Sequence, residues 1–151
     1  MLSREEILKK FPAGFPVEKL PEGMKEAAIE VYRICRSGKV EERSFLPTYL
    51  DEISKTKENE DIVEREIGYY SLSTYEKRRD AKNKLKFFRG KQPEAIASMG
   101  KTDCSCGVIQ RTKERKPCRD SHIDWWIYDG AQPHKFFYEV QLDDGKEGGI
   151  M

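Results

Sequence analysis

Cys104, Cys106, Cys118 and His122 fall within nineteen residues as a C-x-C-x11-C-x3-H run, the densest gathering of soft or borderline metal ligands in the chain. Tetrahedral Zn²⁺ is held by sets of this kind, Cys₃His among them. A shared ion would make residues 104–122 double back until their two ends meet. It would also pin residues 111–117 (RTKERKP), a run with almost no apolar side chain to anchor it. The pattern therefore predicts a zinc site of Cys104, Cys106, Cys118 and His122 that staples a long loop between two strands. Cys35 stands apart and reads as a buried core thiol.

Hydrophobic periodicity divides the rest. Residues 108–112, 123–128 and 135–141 are rich in β-branched and aromatic side chains and read as strands. The last two flank residues 129–133 (DGAQP), which read as a five-residue hairpin loop. That hairpin would set Asp124 opposite Tyr138 and Trp126 opposite Phe136. Upstream the patterns are helical. Ser3 and Glu6 form a capping box before a short first helix. Met24, Ala28, Val31, Tyr32 and Cys35 recur at helical intervals ahead of Gly38 and predict a second helix. A third short helical segment follows Pro47, with Tyr49, Leu50 and Ile53 on one side. Residues 55–61 read as a mobile polar loop and 67–71 as a short strand. Ser73 and Glu76 then form another capping box, opening a helix from 74 to about 88, and residues 93–99 add a further turn. The expected class is α+β, with N-terminal helices packed on a small C-terminal antiparallel sheet. A single domain would span 1–141, followed by a flexible tail at 142–151.

Charge bounds the partners. Lys+Arg number 28 against 27 Asp+Glu, a net +1, so there is no global basic field for nucleic acid. Any such contact needs a local patch. Residues 77–91 supply one, with eight basic side chains. On a helix Arg78, Lys82 and Arg89 share a face and would neutralise phosphates. No apolar run approaches the length of a membrane span, and the N-terminus lacks the pattern of a signal peptide. The chain therefore reads as intracellular and cytoplasmic.

Strand alternation places His122, Asp124, Trp126 and Tyr128 on one face and Ile123, Trp125 and Ile127 on the other. His122 and Asp124, joined by Tyr138 across the hairpin, suit acid–base chemistry on a nucleotide-like ligand, with Tyr69 and Tyr70 beside them. The primary expectation is a small binding protein that contacts nucleic acid through Arg78, Lys82 and Arg89 and is stabilised by zinc. The second is an enzyme using His122, Asp124 and Tyr138. The third is an inhibitor or adaptor that anchors a protein partner with Trp125, Trp126 and Phe137.

One resemblance bears on the second reading. Residues 69–74 (YYSLST) resemble the serine-rich strand of ADP-ribosyltransferases, and Arg43 upstream with Glu139 on a later strand follows that family's order. The likeness covers a handful of residues. Phe137 stands two positions before Glu139, where such enzymes often carry Glu or Gln.

Overall fold

The computed structural model describes residues 2–50 and 65–142. Its strands are β1 (Glu30–Cys35), β2 (Leu72–Tyr75), β3 (Ile96–Lys101), β4 (Gly107–Arg111), β5 (His122–Ile127) and β6 (Phe137–Val140). All pair antiparallel in one six-stranded sheet of order β4-β5-β2-β1-β3-β6. Two α-helices accompany them among the described residues, α1 (Arg4–Leu8) and α2 (Arg78–Arg89). The architecture is mainly β, and this corrects the expectation of an α+β layer of N-terminal helices on a small sheet.

The largest difference is β1, expected as a helix. Val31, Ile34 and Cys35 are all buried, at 0%, 3% and 0% exposure, because β1 lies inside the sheet with both faces covered. A strand buried on both faces loses its polar–apolar alternation, so a helical spacing can match it by coincidence. Val31, Tyr32 and Ile34 nevertheless have the branched and aromatic side chains that favour a pleated surface. Residues 93–99 likewise enter a strand, β3, rather than a helical turn. Gly100 is required there, since a Cβ would overlap the Phe136 carbonyl.

The expected hairpin is also absent. β5 lies between β4 and β2, whereas β6 pairs with β3 at the far edge. Tyr138 therefore sits opposite Met99, not Asp124. Deep burial explains the choice: Asp124, Trp125 and Trp126 are at most 1% exposed. A strand that deep needs partners along both edges for its N–H and C=O groups.

The capping box of α1 forms as expected, with Glu6 N donating to Ser3 Oγ (3.1 Å) and Ser3 N to Glu6 Oε1 (2.9 Å). The second box does not. α2 starts at Arg78 behind Lys77, because Ser73 and Thr74 belong to β2. Ala81 and Leu85 are buried and Phe88 half-buried, a stripe at i, i+4 and i+7 that packs on Ile34, Tyr75, Ala97 and Leu142. Asp80 in the first turn accepts from Ser121 N at 2.9 Å. After Pro47 the described residues form a 3-10 turn (Thr48–Leu50), Ile53 of the expected segment lying outside the described residues, and another turn (Ile67–Tyr70) replaces the strand expected there. The loop expected at 55–61 and residues 143–151 of the expected tail lie outside the described residues, while Leu142 is 1% exposed.

Trp125 and Trp126 insert on opposite faces of the sheet. Trp125 packs with Val31, Phe45, Leu72 and Phe137, and Trp126 with Phe11, Phe15, Met24 and Val108. Both are fully buried, so they cannot serve as anchors for a partner.

The sheet carries one seam. β1 and β3 are in register over six residue pairs, but β1 and β2 share only Tyr32↔Tyr75. The Arg33 guanidinium reaches across the gap instead, donating from Nη1 to the Ser73 carbonyl (3.0 Å) and from Nε to the Ser44 carbonyl (2.9 Å). No described helix is long and apolar enough to cross a membrane.

Candidate active-site cleft

An open cleft of about 500 Å³ lies over this seam, lined by residues from β1, β2, β5, α2 and the turn after β4. Pockets that hold small ligands run to roughly 300–1,000 Å³. Alternation along β5 turns His122 and Asp124 toward the cleft, while Ile123 and Trp125 face the opposite core. Register places Ser73 directly across from Asp124 and Tyr75 across from His122.

Asp124 is 1% exposed, and its carboxylate is fully engaged. Oδ1 accepts from Ser71 Oγ (2.7 Å), and Oδ2 accepts from Thr112 Oγ1 (2.8 Å) and Arg115 Nη1 (2.8 Å). Thr112 and Arg115 reach the same oxygen because the chain leaves β4 in a 3-10 turn, with Arg115 N donating to the Thr112 carbonyl at 2.9 Å. Three residues per turn stack such side chains on one side. Arg115 also donates from Nε to Glu66 Oε2 (2.7 Å), tying the turn before β2 to the cleft floor. Burial alone would raise the Glu66 carboxyl; hydrogen bonds from Arg115, the Gly68 N–H and Lys116 outweigh it and hold it below its ordinary value.

His122 is bracketed by hydroxyls. Nδ1 lies 2.5 Å from Thr112 Oγ1, and Nε2 lies 2.9 Å from Ser73 Oγ. Its nearest approach to Asp124 is 4.0 Å, too long for a direct hydrogen bond. The Tyr75 ring meets the imidazole edge-on at 5.3 Å. Burial pushes the His122 pKa down, with Lys84 and Arg115 adding to the effect and Asp124 and Asp120 opposing it. A neutral imidazole in a largely dry setting is a base.

Around this core the cleft is cationic. Arg33, Arg36, Lys84, Arg115 and Lys116 line it against Glu66, Asp120 and Asp124, an excess of two positive charges in a chain whose net charge is +1. Arg36 stacks on Phe88 at 4.8 Å, and Lys84 lies 5.9 Å from the Tyr75 ring centre. The site thus combines cations for anionic groups, aromatic surface, and a base.

The other expected site residues lie elsewhere. Tyr138 is 59% exposed on edge strand β6 and does not line the cleft. Arg43 is exposed and paired with Glu41 (2.9 Å), and Glu139 is exposed on β6. The zinc expectation is overturned, since no group of three or more His, Cys, Asp or Glu able to hold a metal ion exists among the described residues. Antiparallel pairing explains it. Cys104 and Cys106 precede Gly107, which pairs with Ile127, whereas His122 lies at the other end of β5, beside the pair Arg111↔Ile123. Five residues of β4 separate the two ends by about 17 Å. Cys106 also turns into the core, Cys104 faces solvent, and Cys118 Sγ donates to Asp120 Oδ1 at 3.2 Å.

The basic stripe is corrected too. Arg89 Nε donates to the Ala95 carbonyl (2.9 Å) and Arg78 Nη1 to the Gln141 carbonyl (3.5 Å), while Lys82 is half-buried with a partner of its own. Arg89 and Arg78 thus tie α2 to the chain beside β3 and β6, and all three cations are engaged within the protein.

Ser73, Thr112 and Arg115 line the cleft but were not among the expected site residues. Ser73 was legible as part of YYSLST, but its S-x-x-E spacing to Glu76 imitates a helix cap. Comparison of the chain with protein-family models, with characterised proteins and with solved structures finds no match.

Proposed function

We propose that the chain is an enzyme acting on a nucleotide-like, phosphate-bearing ligand, with nicotinamide adenine dinucleotide as donor in the manner of ADP-ribosyltransferases. The observation that carries this reading is the convergence of Arg33 from β1, Ser73 from β2 and His122-x-Asp124 from β5 on one cationic cleft. Ser73 belongs to the serine-rich run that carries the resemblance, whereas Arg43 and Glu139 lie outside the cleft, so the reading rests on the cleft's own cations and base. The chemistry fits the lining. Cations such as Arg36 and Lys84 suit a pyrophosphate, Tyr69 and Phe88 offer aromatic surface to a ring, and His122 can take a proton from the group that attacks the ribosyl carbon. Asp124 departs from the family pattern: it is buried and supports His122 rather than touching a ligand.

The test is calorimetric titration of the full chain with the dinucleotide, together with chromatographic assay of released nicotinamide. Binding and release are expected. Arg36→Ala with Lys84→Ala should weaken binding by about 10-fold or more, since charge-assisted hydrogen bonds contribute roughly 1.5–3 kcal/mol each. His122→Gln should abolish release. Absence of both binding and release at millimolar dinucleotide overturns the reading.

A further inference from the structure

Both ring nitrogens of His122 are taken by hydroxyls, Thr112 on one side and Ser73 on the other, and Tyr75 covers an edge of the ring. A ligand in the cleft therefore meets Ser73 Oγ before it can exchange a proton with the imidazole. The direction of each hydrogen bond follows from counting protons. The Asp124 carboxylate, ion-paired with Arg115, only accepts. Thr112 has a single hydroxyl proton and donates it to Asp124 Oδ2 at 2.8 Å. Toward His122 the threonine oxygen can then only accept, so Nδ1 carries the imidazole proton. Nε2 is left with its lone pair, and the Ser73 hydroxyl faces it as donor at 2.9 Å. The chain Asp124–Thr112–His122–Ser73 thus has one polarity, and it ends by drawing the proton off a serine that lines the cleft.

We propose that Ser73 is the nucleophile of this site, activated by His122, and that Thr112 and Asp124 are positioning residues that lock the imidazole as its Nδ1–H form. The proposal rests on the cleft being an enzyme site but not on the identity of its ligand. With a ribosyl pyridinium donor, Ser73 Oγ forms a bond to the anomeric carbon while the carbon–nitrogen bond breaks. That electron pair neutralises the departing pyridine, and the serine proton passes to His122 Nε2. His122 then releases that proton to solvent; a water or hydroxyl acceptor gives its proton to Nε2 as it bonds to the anomeric carbon, and the departing Ser73 Oγ takes that proton back. Two displacements at one carbon retain its configuration, whereas direct attack by the acceptor would invert it.

The experiment is labelling of the full chain with a fluorophosphonate, in which Ser73 Oγ displaces fluoride from phosphorus, read by intact mass and peptide mapping. A single adduct at Ser73 is expected, absent in Ser73→Ala and at least about 100-fold slower in His122→Gln, the scale of a lost general base. Thr112→Val should slow labelling and Thr112→Ser restore it, a rescue that a purely structural threonine would not show. Labelling of Ser73 no faster than that of Ser105, a solvent-exposed serine between Cys104 and Cys106 outside the cleft, in protein that retains its circular dichroism, overturns the proposal. So does nicotinamide release that persists in Ser73→Ala, which would leave the dinucleotide reading standing. Ser73 labelling without any dinucleotide binding would discard the ligand and keep the nucleophile.

Discussion

His122 carries two pH effects with one cause. Burial holds its pKa below the ordinary value of about 6.5, against the pull of Asp124 and Asp120 and with the help of Lys84 and Arg115. The folded protein therefore resists protonating it while the unfolded chain does not. As pH falls below about 6.5 the unfolded state binds the extra proton first, so this contribution to stability is present above that value and is lost as pH falls toward the folded pKa. Activity follows the same sign: kcat/KM should stay flat through pH 6.5 and decline only at lower pH. A pH–rate profile beside urea melts at the same pH values checks both, and His122→Gln should remove the stability slope in that window. His122 and Asp124 were legible as a pair because alternation along a strand fixes which side chains share a face. Thr112 and Arg115 were not, because the turn that aims them at Asp124 follows from how β4 pairs with β5. Nothing local in RTKERKP announces that path.

Among the elements, β4 and β5 approach each other closely where Gly107 begins β4. A Cβ at that position would overlap the Trp126 carbonyl, and backbone cannot swing aside as a side-chain tip can. Gly107→Ala should therefore cost at least about 1–3 kcal/mol, the range for overpacking, measured as a lower urea midpoint. Since β4 leads directly into the turn bearing Thr112 and Arg115, the same change should also disturb the cleft. Strands were readable from sequence where aromatic and β-branched residues crowd, as in β4 and β5. They were unreadable in β1, where burial on both faces erased the alternation and left Met24, Ala28, Val31 and Cys35 at helical spacing. The start of α2 was misread for a related reason: Glu76 bonds Arg111 at 2.8 and 2.9 Å across the sheet, not a helix terminus. Strand order was beyond reach, since residues 129–133 fit a hairpin but span a crossover to the far edge.

At the scale of the molecule, the sheet is two three-stranded halves, β4-β5-β2 and β1-β3-β6, meeting at the single pair Tyr32↔Tyr75. Each half keeps its own ladder, and each contributes one side of the cleft: Arg33 and Ile34 from one, Ser73, His122 and Asp124 from the other. Local opening takes place where the fewest backbone bonds must break. Amide exchange should accordingly be slow within β1–β3 and β4–β5 and markedly faster at the β1–β2 junction, with exchange monitored residue by residue in D₂O. Equal protection across all five strand junctions would contradict this. The Arg33 guanidinium, bound to carbonyls of Ser44 and Ser73, then works as a flexible tie rather than a rigid rung. The cleft can breathe by splaying the halves around that tie, so its width is a soft coordinate while the hydroxyl chain along its floor, held within one half, keeps its spacing.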